Sequence, residues 1–177
     1  MLLTASRSVL LMVDLQERLM PAIHDGDAVV ARTALLGEAA GALEVPVAAT
    51  EQYPQGLGAT VPALSAFPQL VMPKTSFSAV DEPGFDMLLP PGRDEVVVTG
   101  AEAHVCVLQT VLGMRERDIR VVVVADAVGS RRESDKAAAL QRARDQGAEV
   151  VTSEMVMFEW MRDSRHPRFR DVSKMLR

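Results

Sequence analysis

Six short apolar runs punctuate this chain, and stretches of helical periodicity separate most of them. The runs cover residues 8–13 (SVLLMV), 45–50, 69–72, 95–99 (EVVVT), 120–125 (RVVVVA) and 148–152. They are apolar at successive rather than alternate positions, which suits strands covered on both faces and therefore a parallel sheet. Helical patterns run over 27–43, 105–117 and 133–146, the first with Asp25 or Asp27 available as N-cap and the third closed by Gly147. Ser153 is expected to cap a last helix through Met161, with Glu154 in its first turn. Right-handed crossovers then give an α/β fold: three layers, α/β/α, with a mostly parallel six-stranded sheet in Rossmann-like order. No repeat or long linker divides the chain, so residues 1–177 are expected to form one domain. The irregular stretches 52–68 and 74–93 are long enough for loops that carry function.

Composition excludes several classes. A net charge of −5 argues against nucleic acid as the main partner. Basic residues gather late, at Arg162, Arg165, Arg168, Arg170, Lys174 and Arg177, but acids interleave with them, as on a solvated helical face. The single cysteine, Cys106, rules out an internal disulfide and an all-cysteine metal site. Without a secretory signal pattern, this points to a reducing cytoplasm. The apolar run 9–13 is too short to cross a membrane. No glycine-rich phosphate motif follows the first strand, where VDLQERL stands instead.

In open α/β sheets, sites form beyond the carboxyl ends of the strands, where the strand order reverses. Asp14 and Gln16 follow the first run, Glu51 and Gln52 the second, Lys74 the third, and Glu102, His104 and Cys106 the fourth. If the first and fourth strands flank the switch point, Asp14 and Cys106 meet across it. A helix N-terminus at Cys106 would favour the thiolate. A carboxylate can take the thiol proton, an ammonium can balance the charge, and backbone N–H groups at Glu102 and Cys106 can receive an oxyanion. Together these predict acyl transfer through a thioester, then hydrolysis. Each signal also has a bland reading: a buried Cys is a small hydrophobe, Asp14 can cap a turn, and Lys74 can be an ordinary exposed lysine.

The same residues carry a resemblance. LLMVDLQERLMP, MPKTSFSA and VVVTGAEAHVCVLQT resemble the three signature blocks of the isochorismatase-like cysteine hydrolases, a superfamily that includes nicotinamidases and isochorismatases. ATEQYPQGLGATVPAL and the stretch from VVADAVGS to VVTSE are most similar to the isochorismatase domain-containing subgroup. The resemblance implies Asp14 as general base, Lys74 as charge stabiliser and Cys106 as nucleophile. It also implies a non-proline cis peptide between Ala101 and Glu102, turning backbone N–H groups toward an oxyanion. It further implies a homo-oligomer, for which Met155–Met161 is a candidate contact face.

Nicotinamidases hold a metal with an aspartate and histidines after the second strand. Thr50-Glu51-Gln52-Tyr53 stands there without histidine, and His24, His104 and His166 are scattered, so no catalytic metal and no cofactor are expected. Some isochorismatase-type vinyl-ether hydrolases lack the thiol, so Cys106 favours amide-like C–N hydrolysis of a small molecule, with vinyl-ether cleavage as the alternative. A redox thiol and a non-catalytic scaffold are the other readings. The first has no resolving cysteine in this chain, and the second leaves an intact Asp14, Lys74 and Cys106 unexplained. Gln16, Gln52, Tyr53, Phe77, His104 and Val105 are the expected pocket neighbours. His104 is either a second acid–base group or a pocket-wall or interface residue, and the latter is preferred because the triad already has its base.

Overall fold

In the computed structural model, which describes residues 1–176, six strands form one sheet. They are β1 (Ser8–Val13), β2 (Val47–Gln52), β3 (Leu70–Lys74), β4 (Glu95–Ala101), β5 (Arg120–Gly129) and β6 (Glu149–Val151). The order is β3-β2-β1-β4-β5-β6 and every pairing is parallel. The helices are α1 (Gly26–Ala42), the single turn α2 (Pro54–Leu57), α3 (Leu108–Glu116), α4 (Glu133–Asp145), α5 (Ser153–Met161) and α6 (Phe169–Lys174).

Alternation along each strand divides the core in two. Leu10 and Met12 of β1, with Val97 and Val122, pack against Leu36 of α1 and Val156 and Trp160 of α5. Leu11 and Val13, with Val96, Val98 and Val123, pack on the other face against Val111 and Met114 of α3 and Ala139 and Ala143 of α4. Both faces of β1 are therefore buried, as its unbroken apolar run requires. Fully burying a side chain such as Leu11 contributes roughly 2 kcal/mol.

Several boundaries differ from expectation. β2 begins at Val47, because Pro46 has no N–H to give, although its carbonyl still accepts from Leu10 N–H at 2.9 Å. β3 runs on to Lys74, which is paired with Gln52. β5 continues four residues past Ala125 because β4 also lengthens. A register shift between Val98 and Gly100 lets Gly100 and Ala101 pair with Val128 and Gly129. At α1, Asp25 holds the N-cap position without a side-chain cap bond. At α5 the cap is Thr152, whose hydroxyl accepts from Met155 N–H, while Ser153 Oγ donates to Asp126 Oδ2 at 2.6 Å. The Met155–Met161 segment is mostly core: Val156, Met157, Trp160 and Met161 are buried, and Met155 and Phe158 are its exposed apolar residues. Arg165 and Arg168 pair with nearby aspartates as surface residues, and Arg177 lies outside the described residues. No helix among the described residues is long and apolar enough to cross a membrane.

Candidate active site

The chain leaves β1 for β2 on one side and returns beside β1 as β4 on the other. The switch point therefore lies at the carboxyl end of β1, where Val13 pairs with Thr50 and with Gly100. Asp14 follows at once in a left-handed backbone conformation, φ 52°, which Asp tolerates better than most residues. This turns its carboxylate into the sheet end, where it is wholly buried.

Two neighbours meet that carboxylate. Thr50 Oγ1 donates to Asp14 Oδ1 at 2.6 Å. Lys74 Nζ stands 2.8 Å from Asp14 Oδ2, with both side chains fully buried. Adjacent strands are about 4.8 Å apart, so the long Lys74 side chain spans β2 to reach the end of β1. Its three protons have other acceptors: Gln52 Oε1 at 2.5 Å, Ser76 O at 3.1 Å and Phe77 O at 3.0 Å. Asp14 Oδ2 is thus paired in charge with an ammonium whose well-aligned hydrogen bonds go to other acceptors.

Cys106 arrives from the other side of the switch point. It sits within a single π-turn, Ala103–Val107, ahead of α3. The Glu102 carbonyl accepts from Val105 N–H at 3.0 Å and from Val107 N–H at 3.2 Å, and Cys106 N–H is not among its donors. The Ala101–Glu102 peptide is cis. The thiol is 6% exposed. Burial pushes it up to about 12, Asp14 beside it adds to the rise, and Lys74 pulls the other way. This reverses the expectation of a helix-activated thiolate. Helix α3 begins only at Leu108, and burial with a neighbouring carboxylate sets the sulfur's state.

The expected pocket neighbours fare differently. Gln52 holds Lys74 with its Oε1 and donates through Nε2 to Thr75 O at 2.8 Å. Gln16 is fully buried and fully engaged: Nε2 donates to Gln52 O (3.0 Å) and Gly58 O (2.7 Å), and Oε1 accepts from Gln52 N–H (2.7 Å). It braces the ends of β1 and β2 and has no group free for a ligand. Tyr53 and Phe77 are over half exposed, and it is the backbones of these residues that contact Lys74. His104 Nδ1 lies 3.0 Å from Ser130 Oγ and its Nε2 3.9 Å from Asp135 Oδ2, so the ring is turned toward α4. Val105 is half-buried. Burial pushes the Glu102 carboxyl up, but hydrogen bonds from the Arg131 side chain and N–H outweigh it and hold it below the usual range. Glu51 accepts from Thr60 N–H and Oγ1 and fixes the loop after α2. No cluster of three or more metal-ligating side chains occurs among the described residues.

Sequence reasoning missed Thr50, the Ser76 and Phe77 carbonyls, and Arg131. Thr50 was within reach: it ends the second apolar run, beside Asp14 once the two strands are aligned. Carbonyl acceptors in an irregular loop leave no side-chain signal.

The isochorismatase domain matches residues 8–155. Isochorismatase domain-containing protein 2 of Danio rerio is 39% identical over 98% of this chain and 89% of its own. A solved structure described as the MAR1 ribonuclease from Caenorhabditis elegans superposes with a TM-score of 0.93 at 36% identity, covering 99% of this chain and 92% of that one. The structure of an octameric hydrolase of unknown specificity from Escherichia coli shares the fold, with a TM-score of 0.85 at 24% identity over 99% of this chain and 96% of that one. With this domain match, relatives of this identity along nearly its whole length and an all-parallel sheet, the chain belongs to the isochorismatase-like hydrolase family.

Proposed function

We propose that the protein is a cysteine hydrolase that cleaves an amide-like C–N bond of a small molecule, with Cys106 as nucleophile, Asp14 as base and Lys74 as charge stabiliser. The observation that carries this is the buried Asp14 carboxylate beside the Cys106 sulfur. Its Oδ2 is charge-paired with Lys74, whose well-aligned hydrogen bonds go to other acceptors, so it can take a thiol proton that is otherwise held tightly. The thiol proton passes to Asp14 as sulfur bonds to the carbonyl carbon. Glu102 and Cys106 N–H groups receive the oxyanion. Asp14 returns the proton to the departing nitrogen as the C–N bond breaks, leaving a thioester. Water then attacks the thioester with Asp14 as base, the acid product leaves, and sulfur recovers its proton. Lys74 balances the negative charge that passes between sulfur and carboxylate.

The near-complete burial of all three groups favours a small substrate over a polymer, and the net charge of −5 favours it over nucleic acid. No metal or cofactor enters these steps. A cytoplasmic homo-oligomer of one-domain subunits, away from membranes, is the proposed form, the assembly supported by the octameric E. coli relative.

The test is a panel of small amides, carbamates and a vinyl ether, read by product release and intact mass after quenching. An acyl adduct on Cys106 and a loss of turnover of at least about a thousandfold in Cys106→Ser are expected. Undiminished turnover in Cys106→Ser, above all of the vinyl ether, would overturn the nucleophile assignment.

A further inference from the structure

We propose that Glu82 is the positioning residue for the Lys74 ammonium, and through it holds that positive charge in place beside the Cys106 thiol. Glu82 lies outside the triad, yet one of its oxygens, Oε1, accepts from both Thr75 N–H and Ser76 N–H, each at 2.8 Å. These two peptides lead directly into the Ser76 and Phe77 carbonyls that take protons from Lys74. The Thr75–Ser76 peptide is fixed at its other end too, because Thr75 O accepts from Gln52 Nε2. That bond orients the Gln52 amide so that its Oε1 faces Lys74. All three hydrogen-bond acceptors of Lys74 therefore depend on the turn that Glu82 holds. The backbone N–H groups of Ser76 and Thr75 also hold the Glu82 carboxyl below its usual range, with a contribution from the Lys74 charge.

The consequence follows from lysine's chemistry. Its ammonium carries three rotatable donors on a flexible stem. With its carbonyl acceptors loosened, Nζ would no longer be held in one place beside the sulfur, and the positive charge that favours the thiolate there would weaken. The far end of the same segment is anchored independently, by Thr110 Oγ1 of α3 accepting from Ala79 N–H at 2.9 Å. Loss of Glu82 should thus loosen the turn without releasing the whole loop.

This inference rests on the proposed roles of Asp14, Lys74 and Cys106, and the test separates the two. The rate of Cys106 alkylation by iodoacetamide is measured at about pH 9, where thiolate supply limits it, in the full chain and in Lys74→Met, Glu82→Ala and the double variant. Lys74→Met is expected to slow the reaction. Glu82→Ala is expected to slow it at least about threefold, and to change it less than about 1.5-fold in the Lys74→Met background, because both act through one ammonium. Glu82→Gln keeps an acceptor oxygen at the same reach and should recover most of the lost rate. Glu82→Asp is too short to serve both N–H groups and should behave like alanine, which keeps the test open if alanine unfolds the turn.

An unchanged rate in Glu82→Ala beside a slowed Lys74→Met would overturn the inference alone. So would an effect that persists undiminished in the Lys74→Met background, or a glutamine variant no better than alanine. An unchanged rate in Lys74→Met would overturn the assigned role of Lys74 itself.

Discussion

Asp14 divides its two oxygens between different tasks. Oδ1 takes the Thr50 hydroxyl and is held in place; Oδ2 faces the Lys74 ammonium. Thr50→Val keeps the shape of the side chain and removes that donor, leaving a buried carboxylate oxygen unpaired. A stability loss of about 1–3 kcal/mol is expected, read by urea unfolding. The thiol's pH behaviour follows from the same geometry. Burial raises the Cys106 value first and the Asp14 charge raises it further, while Lys74 lowers it. Asp14→Asn therefore removes a like-charge neighbour and should move thiol ionisation to lower pH, even as it removes the base that turnover needs. Lys74→Met should move it to higher pH.

Elements meet closely at this end of the sheet. Gly100 has φ +136°, and a Cβ there would lie 2.2 Å from Val13 O and 2.8 Å from Val13 Cβ. Only glycine lets β4 approach the end of β1 so closely, and Val13 is the residue before Asp14. Gly100→Ala should cost about 2 kcal/mol or more and, by pushing β1 aside, also shift Cys106 ionisation; thermal unfolding and thiol titration check the two effects. The existence and type of these elements were legible because their apolar runs and helical periods were strong. Their ends were less so. Asp126 interrupts the apolar run of β5, yet the strand continues, because the acid finds Ser153 N–H at 2.8 Å and Ser153 Oγ at 2.6 Å. Lys74 belongs to β3 for a similar reason: a buried cation is tolerated where its partners converge from β1, β2 and the following loop. Such rescues are tertiary, and local sequence does not display them.

At the scale of the whole molecule the two ends of the sheet do different work. The amino end is held by Glu95, fully buried at the start of β4, with Arg120 at 3.2 Å, Arg7 at 3.4 Å and Thr4 N–H at 3.1 Å. Glu95→Ala should destabilise the fold by about 3 kcal/mol, near the low end for a buried pair because Arg7 is partly solvated. It should leave thiol ionisation unchanged, since seven strand residues put the site about 20 Å away. Denaturant midpoints and thiol titration of the same variant would check both halves. The carboxyl end carries the polar residues that the sequence already aligned, Asp14, Lys74 and Cys106, because strand ends and the switch point follow from strand order. The field around the sulfur was not legible, since it depends on burial and on which acceptors take the Lys74 protons. The most direct measurement of that field is the ultraviolet thiolate absorbance of Cys106 against pH, with Cys106→Ser as blank. The expected result is a thiol that stays protonated through neutrality and ionises only far on the alkaline side, earlier in Asp14→Asn and later in Lys74→Met. A thiolate already present at neutral pH, and indifferent to Asp14, would contradict it.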